Sequence, residues 1–166
     1  AGPSIWGTGL PRMGARSEYF GRVVPESLRP LPWLPGVAHA VCDGFAGGEP
    51  LETCSRQLLK RQRGRLRERG WTFHVGIEPE FFLLRRGSDG RWQVADAEDR
   101  LDKPSYDLQA IVRNHGFLDD MRRHLTALGF ELQQMDHEDA TGQYEINYRH
   151  DEALAAADRY QLFKLT

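Results

Sequence analysis

The stretch GIEPEFFLL, residues 76–84, combines two glutamates with the apolar pattern of a β-strand. Across residues 71–86 the large apolar side chains fall on alternate positions, which predicts a strand with one buried face. Glu78 and Glu80 then project from the same side, with Cα atoms about 6.6 Å apart at the usual strand rise. Pro79 lies between them and cannot donate to a sheet ladder, so an edge or a bulge is predicted here.

A second acidic segment, HEDATGQYE at residues 137–145, follows later in the chain. Alternation within residues 142–149 predicts that Glu145 faces away from the core, and Glu138 lies just across a short connection. Carboxylates that are close together repel one another and are costly to desolvate without a cation. Taken singly, each glutamate is better explained as a solvent-exposed strand charge, but four on two hairpins favour a metal site. Carboxylate oxygens suit Mg²⁺ or Mn²⁺ better than zinc, and His137 completes no zinc motif.

The remaining pattern alternates between helices and short strands. Helical spacing ending at a glycine predicts helices over 53–69 and 114–128, and an uninterrupted pattern predicts another from Asp151 to Thr166. Turn chemistry at 88–90 predicts a hairpin, and residues 130–138 and 142–149 are predicted to form a second one. Residues 1–36 are rich in Gly and Pro and read as loops and edge strands, followed by a short strand at 37–43.

Composition narrows the class of protein. The 166 residues are 40% hydrophobic and 28% charged, which fits a globular fold. No apolar run approaches the roughly 18 residues of a membrane-spanning helix, so an integral membrane protein is excluded. The formal charge is −2, and the basic helix over 53–69 lacks interleaved aromatics, so we expect a solvated helix face and no nucleic-acid partner.

Two further features concern the setting of the chain. Cys42 and Cys54 form neither a disulfide framework nor a four-ligand zinc site, which predicts reduced thiols in a cytoplasmic protein. The chain starts at Ala1 without Met, and its last helical pattern reaches Thr166 without a stop signal. We therefore expect both ends to be cuts within a longer protein.

The motifs GIEPEFFLL, HEDATGQYE and the later ADRYQLFK, in this order, resemble the glutamine synthetase superfamily. SEY at 17–19 stands where family members carry Ser-Asp-Met, and LRPLPWLPGVAHAVCD at 28–43 resembles the last part of the family's N-terminal β-grasp domain. The resemblance implies an α+β fold: the end of a β-grasp domain over residues 1–52, then over residues 53–166 the start of the antiparallel-sheet catalytic domain, truncated at Thr166.

The resemblance also implies a reaction and a set of site residues. Family members phosphorylate the γ-carboxylate of glutamate with ATP and let ammonia or an amine displace phosphate from γ-glutamyl phosphate. The equivalents of Glu80, Glu138 and Glu145 hold one Mg²⁺ or Mn²⁺ near the glutamate, and that of Glu78 holds the metal on the nucleotide side. Glu18 matches the acidic residue that binds and deprotonates the incoming ammonium. Family members assemble as homo-oligomeric stacked rings, with sites between subunits.

Two departures from the usual family pattern leave the amine open. HEDATGQYE is one residue shorter between its glutamates than the typical bacterial form. In this respect it resembles the type III, γ-glutamylmethylamide-synthetase-like branch. Glu18 replaces the usual Asp at the amine site. Because the family's remaining metal ligands, glutamate-binding arginines and adenine-binding residues lie beyond the point that matches Thr166, we expect the isolated chain to be inactive. The alternative is a non-catalytic remnant or regulatory subunit that binds metal or a partner.

Overall fold

The computed structural model of the chain describes residues 19–166 and shows helices combined with antiparallel sheets. Glu18, the predicted amine-site residue, lies outside the described residues. By their internal contacts, the described residues form two compact units. Unit 1 comprises the described residues up to Val75 together with Asp151–Leu162, and unit 2 comprises Gly76–His150 with Phe163–Thr166. The predicted domain boundary at residue 52 and the β-grasp assignment stay predictions.

Unit 1 is built from short antiparallel strands and a basic helix. Its elements are β1 (Phe20–Val23), β2 (Arg29–Pro30), β3 (Ala38–His39), β4 (Cys42–Ala46), β5 (Glu49–Pro50), α1 (Ser55–Arg67), β6 (His74–Val75) and β12 (Asp151–Glu152). The strand order is β1-β4-β5, with β2 paired to β3 and β12 paired to β6. Most of α4 (Ala153–Leu165) belongs to this unit, and its Leu154, Ala156 and Leu162 are buried.

Unit 2 carries both glutamate motifs. Its elements are β7 (Glu80–Phe82), β8 (Leu84–Arg86), β9 (Trp92–Val94), α2 (Leu108–Arg113), α3 (His115–Ala127), β10 (Leu132–His137) and β11 (Gln143–Tyr148). The main sheet has the order β10-β11-β7, and β8 pairs with β9 as a hairpin. Its apolar face is fully buried at Tyr144 and Ile146, where α3 contributes Met121 and Leu125 to the core.

The hairpins agree with the sequence, and the last helix begins two residues later than predicted, but three elements differ from the predictions. The single strand predicted over 37–43 is wrong, because the chain forms β3 and β4 there. The single strand predicted over 71–86 is wrong. The chain forms three short strands there, which are interrupted from Gly76 to Pro79 and again at Leu83. Buried Pro79 accepts a bond from the Ile146 amide through its carbonyl, and it has no N–H with which to continue a ladder. The predicted helix over 114–128 is preceded by a separate helix, α2, whose first turn is capped by the Asp107 carboxylate.

The basic helix α1 is more than a solvated face. Arg56 bonds Asp158 and Asp43, and Arg63 bonds Glu152, all within unit 1. Among the described residues, no helix is long and apolar enough to cross a membrane.

Candidate metal centre

Acidic side chains form a row across the polar face of the main sheet in unit 2. Glu145 lies on the central strand β11 and pairs in register with Glu80 on β7 and with Asp136 on β10. Directly paired residues of antiparallel strands share one face, so the three carboxylates stand on the same side of the sheet. The opposite face carries Tyr144 and Ile146, both fully buried. The strict alternation of β11 therefore separates an apolar core face from an acidic exposed face.

Glu138 joins this row from the connection that follows β10. Its amide donates to the carbonyl of Gln143 at 2.9 Å, which holds the turn closed. Partial burial, the hydrogen bond and charge of Glu145, and the charge of Glu80 raise the pKa of Glu138 above the ordinary value of 4.5. Such a shift indicates that negative charge is concentrated at this end of the sheet without a compensating cation from the described residues.

Glu80 is held by a neighbour from the same sheet. Gln143 Nε2 donates to Glu80 Oε2 at 2.5 Å. Gln143 and Glu145 are both on β11 and point to the same face, so the glutamine amide and the acidic row meet side by side. This contact fixes the Glu80 side chain within reach of Glu145.

The other predicted site residues are less well connected. Glu78 is exposed in the segment before β7, and within residues 19–166 its carboxylate makes no hydrogen bond. In the same described range, no group of three or more His, Cys, Asp or Glu side chains is arranged to hold a metal ion. Glu80, Glu138 and Glu145 are thus brought together as neighbours but not as a preformed ligand group. The metal role of all four glutamates stays a prediction.

Sequence reasoning missed two acidic residues at this site. The sequence does not distinguish whether Asp136 supports the site or is a solvated surface charge, and its register with Glu145 places it in the acidic row. Asp99 lies in the loop after β9, is 5% exposed, and bonds the ring of His137. The alternation of β10 was a signal for Asp136, since Asp136 and Glu138 share a parity. No local sequence pattern pointed to Asp99.

The sequence of the chain also matches a known protein family. Residues 52–166 match the profile described as the catalytic domain of glutamine synthetase. The chain belongs to the glutamine synthetase family. This confirms the resemblance seen in the sequence motifs.

Individual relatives place the chain more narrowly in the glutamine synthetase family. The glutamate–methylamine ligase of Methyloversatilis universalis is 42% identical over 166 residues, covering 99% of this chain and 37% of the ligase. A glutamine synthetase of Rhizobium leguminosarum is 34% identical over 164 residues, covering 99% and 37%. A solved structure of GmaS with ADP is similar with a TM-score of 0.85 and 34% identity, covering 92% of this chain and 35% of that one. The chain therefore spans little more than a third of the length of these relatives.

Proposed function

We propose that this chain is part of an ATP-dependent ligase that joins ammonia or a small amine to the γ-carboxylate of glutamate through γ-glutamyl phosphate. The observation that carries the proposal is the acidic row of Asp136, Glu145 and Glu80, with Glu138 beside it, in a chain of the glutamine synthetase family. Phosphoryl transfer between two anions needs divalent cations, and carboxylates are the ligands that Mg²⁺ and Mn²⁺ prefer.

The proposed metal ligands are the glutamates of the two acidic motifs. Glu80, Glu138 and Glu145 would hold one Mg²⁺ or Mn²⁺ near the glutamate substrate, and Glu78 would hold the metal on the nucleotide side. When bound, the metals neutralise the charge of the phosphate and carboxylate oxygens. Gln143 orients Glu80 by its 2.5 Å bond. Glu18 is proposed to bind the incoming ammonium or amine.

The donor set fits a hard divalent cation in chemistry but not yet in arrangement. All the donors are carboxylates, and partial burial together with the charges of Glu145 and Glu80 raises the pKa of Glu138. The described residues nevertheless form no group of three ready ligands. A cation bound here would therefore offset the repulsion between Glu138 and Glu145, and the side chains would have to turn toward it.

The amine is the least constrained part of the proposal. The 42% identity to a glutamate–methylamine ligase exceeds the 34% identity to the glutamine synthetase quoted above, which favours methylamine or a similar small amine over ammonia. The short HEDATGQYE connection and Glu18 support the same choice. We further propose a cytoplasmic enzyme, since both cysteines are free, and a homo-oligomer with stacked rings.

The test uses the natural gene product that carries these residues. We expect ADP release to require glutamate, a divalent cation and an amine, with methylamine giving higher kcat/KM than ammonia. Ammonia as the better substrate would reassign the protein to the glutamine-forming branch. Mn²⁺ binding without ADP release under any amine would favour the non-catalytic, regulatory relative instead.

A further inference from the structure

Asp99 and His137 form a buried pair directly beneath the turn that carries Glu138. Both side chains are fully enclosed, and His137 Nε2 bonds Asp99 Oδ2 at 2.7 Å. The pair lies on the core face of the sheet, since His137 pairs in register with Tyr144 and the two ring centroids are 5.0 Å apart in a T-shaped arrangement. It therefore touches the metal centre only through the backbone.

The pair holds the Glu138 turn at both of its ends. On one side His137 Nδ1 donates to the carbonyl oxygen of Glu138 at 2.9 Å, so the two ring bonds together place a proton on each nitrogen and make the contact with Asp99 an ion pair. On the other side the Gly142 amide donates to Asp99 Oδ2 at 2.5 Å. Because the same carboxylate oxygen accepts from the histidine ring and from Gly142, one side chain fixes residues 138 and 142 relative to each other. The five-residue turn cannot shift without breaking one of these bonds.

Burial of Asp99 is costly if its purpose is stability alone. Within the described residues its second oxygen, Oδ1, has no hydrogen-bond partner. A buried carboxylate with an unpaired oxygen is less favourable than a well-packed apolar side chain, so an ionic pair of this kind is weak evidence for stability. The backbone positions that Asp99 fixes offer a better reason. To share a cation with Glu145 and Glu80, the Glu138 carboxylate must be placed with an error of no more than a few tenths of an ångström.

We propose that Asp99 is a positioning residue of the metal centre, which holds Glu138 in place through His137 and Gly142. This inference rests on the proposed function, because it assumes that Glu138 is a metal ligand. Asp99 touches neither metal nor substrate. Its role is to set the backbone from which the Glu138 carboxylate reaches the acidic row.

The test compares Asp99→Asn with Asp96→Asn in the natural gene product. Asp96 is a matched control, since it lies in the same loop and its carboxylate is also nearly buried, but it bonds Arg113 and Asn114 rather than the Glu138 turn. Asparagine at position 99 has no charge to pair with a histidine that donates from both ring nitrogens, so one of the two His137 bonds is lost. We expect both variants to lower Tm, while only D99N weakens Mn²⁺ affinity, by about tenfold or more.

The measurement is the Mn²⁺ dissociation constant by electron paramagnetic resonance without nucleotide, well below Tm. Equal affinity in D99N and wild type, or equal losses in D99N and D96N, would overturn the inference while leaving the metal centre intact. If the wild-type protein itself binds no Mn²⁺, the proposed function fails and this inference fails with it. Should D99N not fold, His137→Asn is the second variant, because it keeps a donor for the Glu138 carbonyl but loses the bond to Asp99. Wild-type Mn²⁺ affinity in that variant would overturn the inference.

Discussion

Glu138 is where stability and metal binding oppose each other most directly. Its pKa is raised by partial burial and by Glu145 and Glu80, so the folded protein holds the Glu138 proton more tightly than the unfolded chain does. This contribution is fully present below the ordinary pKa of 4.5 and is lost as the pH rises through the raised value. Above the raised pKa and without metal, the ionised carboxylate is therefore destabilising.

Replacing Glu138 by glutamine should stabilise the metal-free protein. The neutral amide removes the like-charge contact, and we expect Glu138→Gln to raise the free energy of unfolding by about 0.2–1 kcal/mol at pH 7. The difference should vanish near pH 4, where wild-type Glu138 is protonated. Thermal unfolding in EDTA at both pH values measures it, and a less stable E138Q at pH 7 would show that Glu138 is not crowded by charge.

Gly142 is the residue of the same turn at which a side chain is least tolerated. Its φ is +74°, and an added Cβ would lie 2.8 Å from Val94 Cγ1 and 3.3 Å from the Leu83 carbonyl oxygen. Gly90 has a similar φ of +77° but no atom within 4 Å of the added Cβ. We expect Gly90→Ala to cost about 1 kcal/mol for backbone strain, and Gly142→Ala a further ~1–3 kcal/mol for the clash. Equal losses by denaturant unfolding would contradict the close packing of this turn.

At the scale of elements, the alternation of apolar and polar residues predicted the structure best where one face of the sheet is buried. Residues 143–148 alternate between half-buried and buried along their length, so the strand, its core side chains and the outward direction of Glu145 could be read from the sequence. The segment 71–86 shows a similar parity, yet Phe73 on its apolar parity is exposed and Pro79 interrupts the ladder. Parity alone does not reveal which strands pair, so Asp136 joined the site only when the register was known. Asp99 was unpredictable because its role depends on a contact 38 residues away along the chain.

Helix α1 offers a prediction at this scale, because one of its arginines anchors it within unit 1. Arg56 is 15% exposed, bonds both oxygens of Asp158 at 2.9 Å and also bonds Asp43. We expect Arg56→Ala to lower the free energy of unfolding by about 1–3 kcal/mol, since it removes the bonds that Arg56 makes to Asp158 and, among the described residues, leaves Asp43 with Lys60 alone. Arg65 on the same helix is exposed and, among the residues that the structure describes, bonds only Gln62, at 3.4 Å, so Arg65→Ala should change stability by less than about 0.5 kcal/mol.

The pH dependence of this effect follows from Asp43. Burial raises its pKa, but the bonds and charges of Lys60 and Arg56 outweigh burial and hold the pKa below the ordinary 3.8. Because its pKa is lowered, ionised Asp43 stabilises the fold above pH 3.8. This contribution is lost as the pH falls through the pKa that Asp43 has in the folded protein. The gap between wild type and R56A should thus persist from pH 7 to about pH 4 and narrow only below it. A gap that closes already near pH 6 would contradict the ion-pair account.

At the scale of the whole molecule, unit 2 leaves several large apolar side chains exposed. Trp92, Leu108 and Val112 are 61%, 76% and 72% exposed. The chain also spans 37% of the length of its ligase relative, so most of that relative has no counterpart here. We expect residues 1–166 alone to release no ADP and to bind a hydrophobic dye such as ANS. Amine-dependent ADP release by the isolated chain would show that these residues suffice for catalysis.

The central claim is that a carboxylate row in a glutamine synthetase family chain holds the metal of a glutamate–amine ligase. The measurement that tests it most directly is ADP release, dependent on glutamate and amine, by the natural gene product and its Glu80→Ala variant. Glu131→Ala is the matched control, because Glu131 is an exposed glutamate of the same unit that bonds Arg149. We predict that E80A loses about 100-fold or more in kcat/KM while E131A keeps wild-type activity. Turnover with normal Mn²⁺ dependence in E80A would contradict the account.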